Sequence, residues 1–496
     1  MKKLMILLLV LMLLCGCTST QTGTTDSICS HIDADNNGSC DSCSQSVLVF
    51  VDLYAINDLH GKLADGDSHV GVDELTTYLK TMGSYQNTVL ISAGDMWQGS
   101  AESNQTKGQI ITDWMNALDF AAMTLGNHEY DWGEDPILAN DTAAEFPFLA
   151  INIYDRATNQ RVEYCDASVV VDISGVQIGI IGAMGDCYSS ISADKTEDIY
   201  FLTGKDLTQL VMEESSRLQA EGVEFIVYVL HDGLGSSNTG DTVQGSALKS
   251  YYDTALSNGY VDVVFEAHTH QRYLFTDEYG VYHLQNRGDN TGGISHVRLQ
   301  INSVTGTSAV TKAELVGTRT YSSMADDPIV EQLLEHYADV ISPALEIVGT
   351  NKQHRSSDYL CELAAQLYYQ LGVAQWGETY DITLGGGFLA TRSPYDLPAG
   401  EVAYSDLQSL FPFDNDIVLC SISGRDLINR FLESSHSKYH IYGNWGEIDP
   451  NATYYVVVDS YTAVYAPNRL TVVEEYTPGI YARDLLADYI AAGGLA

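Results

Sequence analysis

Polar residues with metal-binding side chains follow five apolar segments of this sequence, each at the point where a segment ends. They stand in the motifs Asp58-Leu59-His60, Gly94-Asp95, Gly126-Asn127-His128-Glu129, His231-Asp232 and His268-Thr269-His270. Residues two apart on an extended chain share a face, so the Asp-x-His and His-x-His pairs can each grip one ion. A mixed set of histidines and carboxylates suits zinc, manganese or iron(II) better than magnesium or calcium. Five such motifs in order predict a metal centre, which a single histidine would not.

The segments before these motifs are predicted to be buried strands. They are aliphatic and β-branched, and they cover residues 47–56, 88–92, 121–125, 225–230 and 261–265. Helical spacing of apolar residues recurs between them, at residues 75–82 and 206–220. In open α/β sheets, ligand sites lie at the carboxyl ends of the strands. We therefore expect an α/β domain over residues 47–320 that gathers the metal ligands at one sheet edge.

The charge balance of the 496-residue chain excludes one class of partner. Sixty-six Asp and Glu against 24 Lys and Arg give a formal net charge of −42. A surface this acidic repels polyanions, so long DNA or RNA is not an expected partner. A small anionic substrate requires local positive charge, which bound metal ions can supply.

The N-terminus has the layout of an export signal. Lys2 and Lys3 precede an apolar run at residues 4–14, which is too short to span a bilayer. The run ends in Leu14-Cys15-Gly16-Cys17, which resembles a bacterial lipobox, and the resemblance implies that Cys17 is acylated. We expect a signal peptide at residues 1–17 and a cell-surface lipoprotein held to the membrane by its lipid anchor alone. A plain cleaved signal is the alternative, and it also exports the protein.

A linker and a Cys/His/Asp-rich segment are predicted at residues 18–46, and three interpretations of the segment stay open. A four-ligand zinc site is offered by Cys29, His31, Cys40 and Cys43. The start of a calcium loop is offered by Asp33, Asp35, Asn37 and Gly38. That loop lacks the glutamate usual at its twelfth position. A disulfide is the third possibility, since the protein is expected to be exported.

A second unit follows the first. Asp327-Pro328 is a cap-plus-proline start that predicts a connector helix over residues 326–345. A smaller α/β domain is expected at residues 346–496, with a glycine-rich turn at Gly385-Gly386-Gly387.

The ordered motif series resembles that of the calcineurin-like metallophosphatases. The extension Tyr130-Asp131-x-Gly133 and the second domain are similar to the 5'-nucleotidase branch. That branch includes periplasmic UDP-sugar hydrolases, 2',3'-cyclic phosphodiesterases and animal ecto-5'-nucleotidases. The resemblance implies a two-sheet sandwich flanked by helices, a connector helix and a smaller α/β substrate-binding domain.

The resemblance also assigns roles at the metal centre. It implies that Asp58, His60 and His270 hold one of two divalent ions, and that Asn127, His231 and His268 hold the other, with Asp95 bridging. In such a centre, two metals about 3.5–4 Å apart activate a hydroxide that attacks phosphorus. His128 is expected to stabilise the transition state or protonate the leaving oxygen, oriented by Asp131. Support of Asn127 is the alternative role for His128.

The second domain is expected to bind the substrate. The sequence at residues 401–424 resembles the C-terminal nucleotidase domain, in which two aromatic rings sandwich the base and arginines hold the phosphate. Tyr442 and Tyr461 are the candidate rings, and Asn444 is the candidate base contact. The family turn Gly-Gly-x-Ile-Arg is altered here, so Arg392 and Arg355 are the candidate arginines.

These implications predict a monomeric, exported hydrolase that converts nucleotides, including cyclic nucleotides or nucleotide sugars, to nucleoside and phosphate. One alternative is the same metal chemistry on a non-nucleotide phosphoester or a sulfur ester. Another is a catalytically silent surface protein, although this chain retains all seven expected ligands.

Overall fold

The computed structural model describes residues 31–65, 70–81, 87–235, 248–288, 293–387, 396–433, 439–464, 470–476 and 479–496. The predicted signal with Cys17, most of the linker, Cys29 and Arg392 lie outside these residues. Among the described helices, none has the length and apolar character needed to cross a membrane.

The first part of the chain folds into strands that build two large sheets and one small one. In chain order they are Leu48–Ile56 (β1), Thr88–Ser92 (β2), Ala122–Thr124 (β3), Phe148–Leu149 (β4), Ile153–Asp155 (β5), Ser168–Ile173 (β6), Val176–Met184 (β7), Ile199–Phe201 (β8), Phe225–His231 (β9), Val263–Glu266 (β10), Tyr273–Thr276 (β11), Tyr282–Gln285 (β12), Ile294–Asn302 (β13) and Ser308–Val316 (β14). The five strands predicted before the metal motifs are β1, β2, β3, β9 and β10, and all five are confirmed.

The two large sheets each contain six strands. The first has the order β14-β13-β1-β2-β3-β4, with β1 to β4 parallel and β13 antiparallel to β1. The second has the order β11-β12-β10-β9-β7-β6, with β12, β10, β9 and β7 parallel. The parallel strands of both sheets carry the metal motifs at their carboxyl ends. Burial on both faces explains their nearly continuous apolar sequence.

A hydrophobic core fills the space between the two sheets. Leu53 and Ile91 from the first sheet and Ile178 and Val227 from the second are members of one buried cluster. A second cluster covers the outer face of the first sheet and includes Trp114 of the helix Gln109–Ala117. A third places Val211 of the helix Gly204–Ala220 on the outer face of the second sheet. The arrangement is a two-sheet sandwich flanked by helices, as predicted.

The helices occupy the outer layers. The α-helices are Asp73–Thr81, Ala101–Gln105, Gln109–Ala117, Glu134–Ala143, Gly204–Ala220, Pro328–His336, Ala338–Ile341, Ser357–Trp376, Tyr404–Leu410, Gly424–Leu427, Ser460–Val464 and Ala482–Ala491. Short 3-10 turns lie at Asn127–Tyr130, Asp186–Ser190, Ala193–Lys195, Thr318–Thr320 and Ser342–Leu345, and a π turn lies at Ile428–Leu432.

The predicted connector is interrupted rather than continuous. Asp327 caps its first helix, since its carboxylate accepts a hydrogen bond from the backbone N–H of Ile329, and Pro328 opens the helix as expected. That helix ends at His336, because Tyr337 adopts a non-helical backbone and donates its hydroxyl to Asp113 at 2.6 Å. Shorter pieces follow, so the prediction of one helix over residues 326–345 was wrong.

The last part of the chain forms a separate five-stranded sheet. Its strands and those of a two-stranded ribbon are Ile347–Asn351 (β15), Ile382–Gly387 (β16), Gly400–Ala403 (β17), Ile417–Ser423 (β18), His440–Gly443 (β19), Thr453–Asp459 (β20) and Thr471–Glu475 (β21). The order is β19-β16-β20-β18-β21, and β15 pairs with β17. The helices Ser357–Trp376 and Ala482–Ala491 cover one face of this sheet.

Candidate metal centre and active site

The predicted metal ligands converge where the carboxyl ends of the two sheets meet. Five of the seven hold a left-handed backbone with φ between 51° and 67°, namely Asp58, His60, Asp95, His268 and His270. This conformation is uncommon for residues other than glycine and costs on the order of 1 kcal/mol or more at each position. A fold that concentrates such backbone strain in one place indicates a site built for function.

The first group consists of Asp58, His60 and His270. The Nε2 atoms of His60 and His270 lie 3.2 Å apart, and Nε2 of His270 lies 3.5 Å from Oδ1 of Asp58. The Nδ1–H of His60 donates to the carbonyl oxygen of Gln98 at 2.8 Å, so its Nε2 presents a lone pair. Two imidazole nitrogens and a carboxylate oxygen at these distances can share a proton or, when both histidines are neutral, a metal ion. These residues therefore fit a divalent metal ion.

The second group consists of Asn127, His231 and His268. Oδ1 of Asn127 lies 3.2 Å from Nε2 of His231 and 2.8 Å from Nδ1 of His268. The Nδ1–H of His231 donates to the carbonyl oxygen of Ala93 at 2.7 Å, so its Nε2 is the atom that can bind a metal ion once it has lost its proton. The same logic makes this group a fit for a second metal ion.

Asp95 lies between the two groups. Its Oδ2 is 3.2 Å from Nε2 of His231, and its Oδ1 accepts the backbone N–H of His128 at 2.8 Å. The ligand atoms of Asp58, Asp95 and His231 all lie within 4.8 Å of one another. The position matches the bridging role that the family resemblance implies for Asp95.

The charges of the clustered side chains shift one another's pKa values. Burial opposes ionisation of Asp95, but His231 and His128 outweigh it and hold the pKa of Asp95 well below its ordinary value. Burial likewise opposes ionisation of Asp58, and His270 lowers the pKa of Asp58. Burial would lower the pKa of His231, yet the charge of Asp95 raises it to about 10. Burial and the charge of His231 lower the pKa of His268 to about 4. A metal entering the second group therefore displaces a proton from His231.

His128 stands beside the two groups. Its Nδ1 lies 2.8 Å from Oδ2 of Asp131, an ion-pair distance that fixes the orientation of the ring. The ring centroid of His60 lies 5.2 Å away. On another side the ring stacks on Phe413 from the last part of the chain, with centroids 5.6 Å apart. His128 is therefore held close to the metal groups without being one of them.

Glu129 is a positioning residue that the sequence analysis left without a role. Its side chain is fully buried, and its carboxylate accepts backbone N–H groups from Asp95 at 2.9 Å, Met96 at 2.8 Å and Gly126 at 2.7 Å. Burial and the charge of Asp95 raise the pKa of Glu129 to about 7, and the backbone hydrogen bonds from Gly126 and Asp95 oppose that rise. Glu129 thus locks the loop after β2 to the loop after β3. Its only sequence signal was adjacency to Asn127 and His128.

Asn57 plays a similar part beside Asp58. Its amide donates to Oδ2 of Asp58 at 2.6 Å and to the carbonyl oxygen of Asn286 at 2.9 Å. The backbone N–H of His268 also donates to Asp58, at 3.0 Å. These contacts connect both sheets at the first metal group.

Glycine is required where loops pass close to the ligands. Gly94 has φ +94°, and a Cβ added there would lie 2.5 Å from Nδ1 of His231. A Cβ on Gly288 would lie 2.5 Å from Cβ of Asp58. Real Cβ atoms do not approach other atoms this closely, so a side chain at either position would push a ligand away.

Cys187 lies unexpectedly close to the second metal group. Its sulfur shares a potential ligand cluster with His231 and His268, and it donates to the carbonyl oxygen of His231 at 2.8 Å. Burial raises the pKa of this thiol well above its ordinary value, which keeps it protonated.

The predicted substrate-binding residues are more dispersed. Arg355 lies over the ring of Tyr359 at 4.5 Å, just before the helix Ser357–Trp376. Tyr442 is half-exposed and meets the edge of Tyr369 further along that helix, with centroids 5.8 Å apart. A helix rises about 1.5 Å per residue, so these two contacts lie about 15 Å apart along it. The structure therefore does not bring Arg355 and Tyr442 together.

Tyr461 and Asn444 follow β20 and β19, the two strands that flank β16 in the same sheet. Tyr461 belongs to the helix Ser460–Val464 directly after β20. Asn444 is exposed after β19 and donates its backbone N–H to Thr383 at 3.1 Å. Arg392 lies outside the described residues. The roles of these residues stay predictions.

Residues 52–272 match the family model described as calcineurin-like phosphoesterase. The chain carries a calcineurin-like phosphoesterase domain. The metal groups, His128 and Glu129 all lie within or at the edge of that match, and phosphoesterases of this family use divalent metal ions. The observed site therefore lies inside the phosphoesterase domain.

Relatives extend the similarity beyond the phosphoesterase domain. The chain is 24% identical over 406 residues to Protein UshA of Yersinia enterocolitica, covering 74% of this chain and 72% of that protein. It is 23% identical over 462 residues to Endonuclease YhcR of Bacillus subtilis, covering 83% of this chain and 37% of that protein. The chain thus spans little more than a third of the second relative.

A solved structure shares the fold. The 5'-nucleotidase precursor from Thermus thermophilus superposes with a TM-score of 0.66 at 18% identity, covering 90% of this chain and 96% of that one. The predicted fold class, a metallophosphatase sandwich followed by a smaller α/β unit, is confirmed.

Proposed function

We propose that this protein is an exported two-metal phosphoesterase that hydrolyses nucleotides to nucleoside and phosphate. The observation that carries the proposal is the convergence of two groups of potential ligand atoms beside Asp95, each with histidine nitrogens next to side-chain oxygens. The resemblance to nucleotidases across both parts of the chain supports nucleotides as the substrate class.

One set of residues would hold the metal ions, and another would take part in proton transfer. Asp58, His60 and His270 would hold one divalent ion, Asn127, His231 and His268 the other, and Asp95 would contact both. Bound ions there supply positive charge to the phosphoryl oxygens and lower the pKa of a water molecule. The donor set favours zinc, manganese or iron.

His128 is suited to handle the leaving group. Its Nδ1 is held by Asp131, so Nε2 is the atom that would meet a substrate. The carboxylate of Asp131 stabilises the imidazolium form, which can donate the Nε2 proton to the oxygen that leaves phosphorus. Asp131 would orient the ring of His128, and His128 would transfer the proton.

Among the described aromatic side chains, Phe413 stacks on His128 and is therefore well placed for the organic part of a substrate. It contacts His128 in this arrangement and belongs to the segment that resembles the nucleotidase C-terminal domain. A flat ring at the entrance suits stacking on a nucleobase of any type. A substrate that binds between Phe413 and His128 must separate these rings, which requires a small movement of the second unit.

The net charge favours a small substrate over a polymeric nucleic acid. With a formal charge of −42, a polymeric nucleic acid is repelled over its whole length, whereas a mononucleotide needs neutralisation only at its phosphate. The metal groups can provide that neutralisation locally.

A substrate panel tests the proposal. The full chain is purified in detergent and supplied with manganese or zinc. Its kcat/KM is then measured on AMP, UMP, 2',3'-cyclic AMP, UDP-glucose, a sugar phosphate and a sulfur ester. An Asp95→Ala variant serves as the control. The proposal expects nucleotides to exceed the other substrates at least tenfold and the variant to be inactive. Preference for the sugar phosphate or the sulfur ester would overturn the substrate class, and an active Asp95→Ala variant would overturn the site.

Export and anchoring are a separate part of the proposal. The run at residues 4–14 and the Cys17 motif support a lipid anchor. A Cys17→Ser variant is expected to lose metabolic labelling with a radioactive fatty acid. Labelling that persists in the variant would exclude Cys17 as the acylated residue.

A further inference from the structure

The segment at residues 31–46 docks on the first sheet far from the metal centre. Asn302, at the end of β13, donates its amide to Oδ2 of Asp33 at 2.6 Å and to Oδ1 of Asn36 at 3.0 Å. Thr307 also donates to Asn36, at 3.1 Å. The contacts lie at the start of β1, whereas Asp58 follows its end. A strand rises about 3.3 Å per residue, so nine residues of β1 separate the two places by about 30 Å.

Three metal-binding side chains cluster in this segment. The ligand atoms of His31, Cys40 and Cys43 lie within 4.8 Å of one another. Nδ1 of His31 is 3.6 Å from the sulfur of Cys43. Zinc bonds of about 2.05 Å to nitrogen and 2.3 Å to sulfur, set at a tetrahedral angle, place those two atoms about 3.6 Å apart. The observed spacing, which is also that of a hydrogen bond between a thiol and an imidazole, is compatible with a shared tetrahedral zinc ion.

We propose that His31, Cys40 and Cys43 bind a structural zinc ion, separate from the catalytic pair. Structural zinc sites have four protein ligands. Cys29 precedes His31 by two residues and is the fourth candidate by sequence, although it lies outside the described residues. At about 30 Å from the metal centre, the zinc would stabilise the N-terminal segment and take no part in hydrolysis.

The segment needs such a ligand because it has almost no core of its own. Cys40 is buried, but Ile32 leaves 51% of its surface exposed. Small segments without an adequate apolar core depend on metals or disulfides for stability. Zinc binding converts free energy of ligation directly into folding free energy.

The acidic residues of the segment act as a turn. Oδ2 of Asp33 accepts the backbone N–H of Gly38 at 2.9 Å in addition to the amide of Asn302, and Oδ1 accepts the backbone N–H of Asn37 at 2.9 Å. Most lone pairs of Asp33 are thereby occupied. The twelfth position of a calcium loop would be Ser44, which has no carboxylate to bind calcium. The carboxylates of Asp33, Asp35 and Asp41 also lie within 4.8 Å of one another and would suit calcium, whereas the two thiols beside His31 select zinc.

The third interpretation was a disulfide. Within the described residues Cys40 and Cys43 are not bonded to each other. Their sulfur atoms lie beside a nitrogen of His31, an arrangement that a metal ion needs and a disulfide does not.

Cobalt(II) tests the proposal, because a thiolate bound to cobalt adds a near-ultraviolet charge-transfer absorption that nitrogen and oxygen ligands do not. The full chain is purified in detergent, stripped with a chelator under reducing conditions and titrated with cobalt. We expect one such absorption, bleached by zinc, in the native sequence. It should be lost in the Cys40→Ser/Cys43→Ser double variant and weakened in His31→Ala.

A matched variant separates this site from the catalytic one. Cys187 lies beside His231 and His268, so a thiolate signal could also arise there. The proposal expects the absorption to persist in Cys187→Ser. Near-ultraviolet circular dichroism checks that the double variant keeps its tertiary structure, and the cobalt signal of His31→Ala provides a second reading if it does not.

Several outcomes would overturn the proposal. They are an absent absorption in the native sequence, an absorption that survives in the double variant, and one that disappears in Cys187→Ser. Mass spectrometry of protein purified without reductant that finds Cys40 or Cys43 in a disulfide would do the same. So would protection of residues 31–46 from protease by calcium but not by zinc.

Discussion

The imidazole ring of His128 lies nearly parallel to the phenyl ring of Phe413, with 5.6 Å between centroids and 26° between planes. The next residue, Asp414, forms an ion pair with Lys107 at 3.2 Å and another with Arg483. The second unit therefore touches the metal centre at the residue proposed to transfer a proton. Through Phe413, it can influence which substrates reach that residue.

Replacing Phe413 with alanine is expected to reduce kcat/KM for nucleotides by about five- to a hundredfold, because stacking on a base is worth about 1–3 kcal/mol. Hydrolysis of a small alkyl phosphate, which offers nothing to stack on, should change little. The two substrates are compared in steady-state assays. Trp445→Ala removes another half-exposed ring of the second unit and is the control. Equal losses on both substrates would contradict a stacking role.

Replacing His128 with asparagine is expected to lower kcat by about a hundred- to ten-thousandfold, the usual effect of a general acid. Its metal content should be unchanged, since His128 is not among the proposed ligands. Asp131→Asn should cause a smaller loss, because it removes only the partner of Nδ1. Metal content is measured by mass spectrometry of the purified variants. Loss of metal from His128→Asn would mean that the residue supports Asn127 instead.

Gly94→Ala is expected to abolish activity and weaken metal binding in the second group. The added methyl would lie 2.5 Å from Nδ1 of His231 in a backbone conformation that disfavours side chains. Gly317→Ala is the matched control, since a Cβ there meets no atom within 4 Å and its φ of −78° is ordinary. Metal titration followed by calorimetry compares the two. Normal affinity in Gly94→Ala would show that the loop can move aside.

Asp52→Asn is expected to destabilise the protein at neutral pH but not in acid. Burial opposes ionisation of Asp52, yet hydrogen bonds from His296 and Arg298 lower its pKa from 3.8 to about 2. Because the folded pKa is depressed, its stabilisation is present above pH 3.8 and is lost as the pH falls toward 2. The shift corresponds to about 2 kcal/mol. Urea unfolding across this range should show the difference between native and variant shrinking with acid.

Asp339→Asn provides the baseline for that comparison. Asp339 is exposed, so its replacement should leave the free energy of unfolding within about 0.5 kcal/mol at every pH. A constant difference between Asp52→Asn and the native protein from pH 7 to pH 2 would rule out the assigned pKa.

The sequence by itself determined the strands and the ligand set. Apolar runs bounded by glycine, such as residues 88–92 before Gly94, predict buried strands because only a sheet interior accommodates them on both faces. Asp58, Asp95 and His268 follow such runs, and the carboxyl ends of parallel strands meet at one edge. Local chemistry therefore sufficed to predict a shared metal centre, while the family resemblance supplied the division of ligands between two ions.

Tertiary structure alone decided the contacts between distant segments. Phe413 reaches His128, and Asn302 reaches Asp33, through packing that no local pattern encodes. The connector is interrupted at Tyr337, whose hydroxyl bonds to Asp113 on another helix. Glu129 became a lock between two loops only once both loops were placed around it. Periodicity and spacing describe neighbours along the chain, whereas these relationships depend on which surfaces the folded chain brings together.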